Sequence, residues 1–293
     1  MSKKKNNSIH YSKKHIFPHT DFYFIDGKNH PEIPMHTHDF GEIVFVINGT
    51  GVHVTENGRY NIQRGDVFVL DGIQKHGYIK TKDLYLIDIL YCHDRFEQLK
   101  KEFSNLPGFN VFFVLEPKQR ENHDFNSKLS LNETQLNKIL PLLETFTEEA
   151  HLALPWGNVI LESFFKAIVI EICRFYSNNK TNKAKQLFRI EKVINYIYDN
   201  IDKQISLNEL AQVAGLNDQV FRILFKKTTG HTPANYIIEQ RISIATHLLV
   251  TENIFVSKVA ERVGFKNKSY FVRKFKEIMG VTPGEYAKSR IKS

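Results

Sequence analysis

The chain has 293 residues, room for about two domains, with an ordinary balance of 42% hydrophobic and 25% charged side chains. Its two cysteines, Cys92 and Cys173, exclude a disulfide framework and suit buried thiols in a reducing cytoplasm. No run approaches the ~20 apolar residues of a membrane span, and no apolar segment follows the basic opening MSKKKNNSIHYSKKH, which reads as a mobile, solvated arm rather than a secretory signal.

From Phe22 to about Tyr91 short β-type runs alternate with turn signals: Asn48-Gly49, Asn57-Gly58, Arg64-Gly65 and Asp71-Gly72. Strands so short and evenly spaced predict an antiparallel sandwich or barrel. Within them lie His36, His38 and Glu42, which share parity and so face one side of an extended chain, and His76 further on. HTHDFGE, six residues, Gly49 and then GDVFVLDGIQKH resemble the two sequence motifs of the cupin barrel, except that Asp71 and Ile73 replace the usual proline and glycine. In metal-binding cupins the three histidines and the glutamate would be ligands for divalent iron, manganese or zinc. The other reading keeps them as hydrogen-bonding groups facing an empty or sugar-filled barrel. We assign His36, His38, Glu42 and His76, with Tyr78 two residues past His76, to effector contacts, and expect no metal and no other cofactor.

After Tyr91 the period changes. HDRFEQLKKEF predicts a helix and PGFNVFFVL a return strand. Leu136, Ile139, Leu140, Leu143 and Phe146, then Phe164, Phe165, Ile168, Ile172 and Phe175, predict a helix pair against the barrel. Both helices are apolar enough to serve either as a dimer interface or as intradomain packing. The polar run from Ser177 to Lys183 predicts an interdomain linker.

From Lys180 onward there are 20 basic and 10 acidic side chains, net +10, against 20 and 22 before it, net −2. The whole positive charge therefore sits in the last third, as expected of a polyanion-binding domain joined to a near-neutral one; a generally basic proteome is the other reading. That third contains a repeat. Phe225, Gly230, Thr232, Pro233 and Tyr236 stand opposite Phe275, Gly280, Thr282, Pro283 and Tyr286 at an offset of 50, while Ala211 and Gly215 match Ala260 and Gly264 at 49. The second copy thus has one extra residue after its glycine.

Each copy reads as helix, glycine turn and second helix with a basic polar face, the helix-turn-helix plan that lays its second helix in the major groove. Ser206 with Glu209 forms a capping-box pattern in the first copy, whereas Phe255 stands at the matching position of the second and predicts a weaker start. In the first reading helix Val220, Phe221, Leu224 and Phe225 are expected inward, and Gln219, Arg222, Lys226 and Lys227 outward. In the second, Phe271, Val272 and Phe275 face in, and Lys268, Ser269, Arg273 and Lys276 face out. Pro233 to Leu249 reads as one unbroken helix of roughly 25 Å, a spacer able to hold two readers in grooves about 34 Å apart.

The segment from about Ile190 to Tyr286, including Arg241-Ile-Ser-Ile-Ala245, GFKNKSYFVRKFKEIMG and both Thr-Pro pairs, resembles the DNA-binding domain of the arabinose-regulator (AraC/XylS) family. HTHDFGEIVFVINGTGVHV, DLYLIDILYCHDRF and Pro107-Gly-Phe-Asn further resemble its rhamnose-responsive activators. The resemblance implies a cytoplasmic, usually dimeric transcription regulator in which an effector in the barrel alters DNA binding or RNA polymerase contact. Family members often carry arginine two residues before the motif phenylalanine. Arg273 keeps it; Ile223 replaces it in the first copy.

The expected architecture is mixed: an N-terminal all-β cupin-like barrel plus helix pair, and a C-terminal all-α domain with two helix-turn-helix motifs. Its parts are residues 1–176 for effector binding and dimerisation, a linker at 177–186, and 187–293 for double-stranded DNA. We assign Gln219, Arg222, Lys226 and Lys227, and Lys268, Ser269, Arg273 and Lys276, to DNA contacts, the arginines suited to guanine and Lys226, Lys227 and Lys276 to phosphate. The expected function is an activator of sugar-catabolism genes that responds to a monosaccharide and is not an enzyme. The alternatives are a metal-dependent cupin enzyme carrying a DNA-binding domain and an effector-free architectural protein.

Overall fold

Two long strands organise the first half of the chain. β4 (Gly41–Thr55) and β7 (His76–Tyr91) pair antiparallel along most of their length. β2 (Phe22–Gly27) and β3 (Ile33–His38) pair with opposite ends of β7, and β5 (Gly58–Gln63) and β6 (Asp66–Leu70) with opposite ends of β4. The short strands β1 (Ile9–Tyr11) and β8 (Leu129–Ser130) complete one eight-stranded sheet. Because each long strand changes partner midway, the sheet bends there, and the β4–β7 register slips between Val46 and Val52. Val44, Val46, Ile62, Phe68, Leu70, Tyr78, Leu84 and Leu86 from its strands form one buried cluster.

These strands belong to a computed structural model that describes residues 9–17, 20–70, 72, 74–103, 106–115, 117, 128–152, 154–178, 182–252 and 254–291. The chain divides into two compact units, Met1–Lys185 and Gln186–Ser293. In the first, α2 (His93–Phe103) follows the sheet, and α4 (Glu133–Leu152) packs along α5 (Gly157–Ser177). The pair lies on β2, with the Phe22 and Phe165 rings 4.8 Å apart and the edge of one ring of the Phe24–His151 pair meeting the other at 4.6 Å.

Several sequence expectations are corrected here. Asn48-Gly49 is no hairpin: β4 runs through it, and Gly49, at φ +76°, permits an approach in which a Cβ would lie 2.2 Å from the Asp83 carbonyl oxygen. In the segment 107–115, Pro107 and Gly108 form a turn and residues 109–115 are helical, ending in a π-type turn, α3 (Val111–Leu115), rather than a strand. Its Phe109, Val111, Phe112 and Leu115 are buried on every side, so no period betrayed the helix. The opening arm is anchored from Ile9 onward, since β1 pairs parallel with β3 and Asp39 accepts hydrogen bonds from Ser12 Oγ and the Lys13 amide; Met1 to Ser8 lie outside the described residues, as do Asp71 and Ile73. Of the expected linker, residues 179–181 are likewise outside, but α6 (Asn182–Asp199) already begins at Asn182. Lys183, Ala184, Lys185 and Gln186 are good helix formers, and helix need not wait for the first apolar residue.

The second unit is helical throughout. α6 leads to α7 (Leu207–Ala214) and α8 (Asp218–Thr229), then to the 19-residue α9 (Pro233–Thr251), and on to α10 (Val256–Arg262), α11 (Lys268–Met279) and α12 (Pro283–Ile291). Ile242, Ala245 and Leu249 of α9 pack with Val259, Ala260, Val263, Phe265, Phe271 and Phe275 in one buried cluster. Both Thr-Pro pairs start helices: Thr232 and Thr282 each accept from the amide three residues on, and the proline fills the first helical position, where no amide donor is needed. Arg241 is buried and has a structural role. Its guanidinium donates to the Ile201 and Lys203 carbonyls and lies 5.7 Å from the centre of the Phe265 ring. Gly264, at φ +81°, leaves space for this, since a Cβ there would meet Ile201 O at 2.6 Å and Arg241 Nη2 at 2.8 Å.

Candidate functional site

The two first helices of the repeat end at glycine turns and lead into α8 and α11. Each of these reading helices is capped by asparagine: Asn217 Oδ1 accepts from the Val220 amide and Asn267 Oδ1 from the Tyr270 amide, both at 2.9 Å. Each is held inward by a phenylalanine pair, Phe221 with Phe225 and Phe271 with Phe275, all fully buried. The opposite faces are open. Gln219, Arg222, Lys226 and Lys227 are exposed on α8, and Lys268, Ser269, Arg273 and Lys276 on α11. Arg273 lies 5.3 Å from the centre of the Tyr270 ring, which orients its guanidinium. One sequence expectation fails: Val220 is not inward but 45% exposed, because it sits about 100° round the helix from Phe221. Ile223, 63% exposed, occupies the middle of the α8 face, where α11 has Arg273.

The second constellation lies inside the sheet of the first unit. β3 delivers His36 and His38, β4 delivers Glu42 and His53, and β7 delivers His76, Tyr78 and Asp88, all of them buried. The rings of His36 and His76 are 4.4 Å apart and those of His38 and His76 5.0 Å. Nδ1 of His36, His38 and His76 lies 3.0, 2.8 and 3.1 Å from the carbonyl oxygens of Pro34, Phe40 and Gln74. A carbonyl can only accept, so each Nδ1 carries a proton, and in the neutral rings of His36 and His76 Nε2 is left as an acceptor. Gly72 encloses His38, whose amide donates to the Gly72 carbonyl. His38 Nε2 faces Glu42 Oε2 at 3.1 Å.

Burial raises the Glu42 pKa, but the His38 contact and the positive potential of His38, His76 and His36 outweigh it and hold the carboxyl below its usual range. Burial lowers His76 to about 4 and also lowers His36. Asp88 goes the other way. Burial, reinforced by the Glu42 charge, lifts it well above the carboxylate range, and its Oδ1 has no hydrogen-bond partner among the described residues. The interior thus offers a Glu42 carboxyl biased toward its ionised form, an Asp88 carboxyl biased toward its protonated form, and imidazole acceptors at His36 and His76. Asp88 is the residue that motif reading passed over. The available signal was an acid at inward parity in the apolar run Leu84 to Leu90.

The same residues also bear on a metal ion. Ligand atoms of His38, Glu42 and His76 lie within 4.8 Å of one another, and the Nδ1 contacts aim Nε2 as in metal-ligating histidines. Two imidazoles and a carboxylate fit a divalent transition ion.

Two helix-turn-helix units with basic outward faces and a sheet with a buried polar cluster define a DNA-binding transcription regulator with a ligand-binding domain. The model of the AraC-like ligand binding domain matches residues 19–138, and that of a helix-turn-helix domain residues 210–289. The chain belongs to the AraC/XylS family. It is 29% identical over 252 residues to the HTH-type transcriptional activator RhaR of Enterobacter sp. (strain 638), and 28% identical over 252 residues to RhaR of Escherichia coli (strain K12), with 86% of each chain covered in both cases. The C-terminal domain of the two-component response regulator yesN from Fusobacterium nucleatum is similar at 31% identity, covering 32% of this chain and 93% of that one, with a TM-score of 0.31. Among the described residues no helix is long and apolar enough to cross a membrane.

Proposed function

We propose that this regulator is a cytoplasmic, homodimeric activator of sugar-utilisation genes and not an enzyme. A monosaccharide binds among His36, His38, Glu42, His76 and Tyr78, with Asp88 added from the geometry. One observation carries the ligand class: inside the apolar sheet the Glu42 carboxyl and Nε2 of His36 and His76 are acceptors, with the Asp88 carboxyl, which burial biases toward its protonated form, in the same interior. An acceptor-rich interior is satisfied by a ligand rich in hydroxyl donors, and the similarity to RhaR activators supports rhamnose as the first sugar to try. Residues 1–176 bind the effector and dimerise, 177–186 connect, and 187–293 bind DNA through Gln219, Arg222, Lys226, Lys227, Lys268, Ser269, Arg273 and Lys276. Sugar binding biases the arrangement of the reading domains and their contact with RNA polymerase.

The test is thermal unfolding of the full chain against a panel of monosaccharides, together with DNA binding in their presence. One sugar should raise the melting temperature and alter DNA affinity, and Glu42→Gln should abolish both effects. A panel without any shift, or a shift indifferent to Glu42→Gln, removes the sugar reading. The fit of His38, Glu42 and His76 to a divalent ion favours a second reading, a metal-dependent cupin enzyme carrying a DNA-binding domain. It requires stoichiometric metal that is lost in His38→Ala together with a turnover. DNA binding indifferent to chelator and no turnover decide for the regulator.

A further inference from the structure

Ile223 and Val220 are large apolar side chains on the outward face of a DNA-reading helix, 63% and 45% exposed. The buried side of α8 is Phe221, Phe225, Thr228 and Thr229. At about 100° per residue, Ile223 lies roughly 200° from Phe221 and points straight away from that core. Val220, one turn earlier, stands beside it, and Gln219 and Lys226 flank it along the same face. Arg222, Lys226 and Lys227 make this surface basic, with Asp218 as the acid on α8. A basic surface with an apolar centre suits a polyanion that carries small apolar groups between its charges.

The major groove of DNA has this chemistry. An isoleucine cannot hydrogen-bond a base edge, and the apolar group the groove presents is the thymine C5-methyl. On α11 the corresponding side chain is Arg273, whose guanidinium matches guanine O6 and N7. We propose that the two copies read different bases: Ile223 with Val220 seats on thymine methyl groups, Gln219 takes an adjacent adenine, and Arg273 takes a guanine about one helical turn away. The operator half-site is therefore A·T-rich under α8 and contains guanine under α11. This rests on α8 and α11 being the groove-facing helices.

The experiment selects binding sequences for the full chain from a random duplex pool, then replaces each enriched thymine in turn with deoxyuracil, which removes only the methyl. The wild type should lose about fourfold in affinity at the thymine under Ile223, the factor that ~0.8 kcal/mol per buried carbon gives at 1.4 kcal/mol per decade. Ile223→Ala should lose the uracil penalty at the thymine under residue 223 while any penalty under Val220 remains, and Arg273→Ala should keep the uracil penalty and lose guanine preference. Ile223→Arg, at an exposed position that leaves the core untouched, should shift the preferred base there from thymine to guanine. Wild-type binding indifferent to every uracil, or a full set of penalties that survives unchanged in Ile223→Ala, overturns the thymine contact while leaving sequence-specific binding intact. A pool that never enriches overturns that binding itself, and the thymine contact with it.

Discussion

The two helix-turn-helix copies share a frame and differ on its surface. Phe221 and Phe225 have ring centroids 5.4 Å apart, Phe271 and Phe275 5.7 Å. Phe225 meets Tyr236 edge-on at 5.4 Å, and Phe275 meets Tyr286 at 5.7 Å. Both reading helices begin at asparagine and end at a left-handed glycine, φ +79° at Gly230 and +77° at Gly280. The outward positions diverge: Val220 against Tyr270, Ile223 against Arg273, Lys227 against Glu277. The starts of the first helices diverge as well. Packing and backbone conformation tolerate few residue types, whereas the solvent face is limited only by what it must touch. The shared letters of the repeat therefore describe how each second helix is held, and the unshared ones set the surface it offers a partner.

The strongest way to break this equivalence is through the frame. Phe225→Ala and Phe275→Ala should each cost about 3–5 kcal/mol, because both rings are fully buried against a tyrosine and a second phenylalanine. Urea unfolding of the full chain, followed by helical circular dichroism, measures both. Costs that differ between copies by more than about 1.5 kcal/mol would show that the frames are not equivalent in energy, whatever their geometry.

The regularity that made these frames readable from sequence was absent elsewhere. The helix-turn-helix units were legible because apolar residues recur at helical spacing between unambiguous caps; parity sets His36 and His38 on one face of β3, whereas Glu42 joins them from β4, after the bend at residues 39 and 40. Asn48-Gly49 misled because the same dipeptide serves a tight hairpin and a bulge, and only the carbonyl of Asp83, far along the chain, decides between them. Val111 to Leu115 misled because uniform burial erases period. Asp88 shows in the sequence only as an acid at inward parity in an apolar run; its chemistry comes from burial and from Glu42, neither of which a local motif contains. Ile223 looked like a missing arginine until its exposure placed it at the centre of the reading face.

A smaller effect sharpens the comparison at the helix starts. Ser206 and Glu209 form a complete capping box on α7: the Glu209 amide donates to Ser206 Oγ at 3.2 Å and the Ser206 amide to Glu209 Oε2 at 2.7 Å. Phe255, 85% exposed, offers α10 no side-chain cap. Ser206→Ala should destabilise by about 1 kcal/mol. Phe255→Ser should stabilise by less than that, since Lys258 stands where a box would need glutamate and cannot complete the reciprocal bond. A loss on Phe255→Ser in the same urea experiment would mean that the phenylalanine makes a contact worth more than a cap.

The weakest expected effect concerns charge alone. Lys227 and Glu277 occupy the same place in the repeat, and Glu277 is held by Lys274 through bonds of 2.9 and 3.0 Å on its own helix. If Lys227 meets a phosphate, Lys227→Ala should flatten the dependence of log affinity on log salt by about one unit and weaken binding equally on all sequences. Glu277→Lys then tests whether α11 presents the equivalent position to the backbone, and a slope steeper by about the same amount is expected. A response at Lys227 with none at Glu277 would mean that the two helices enter their grooves at different tilts. The copies would then differ in docking as well as in base contacts, and the 19-residue α9 would be joining two unlike readers.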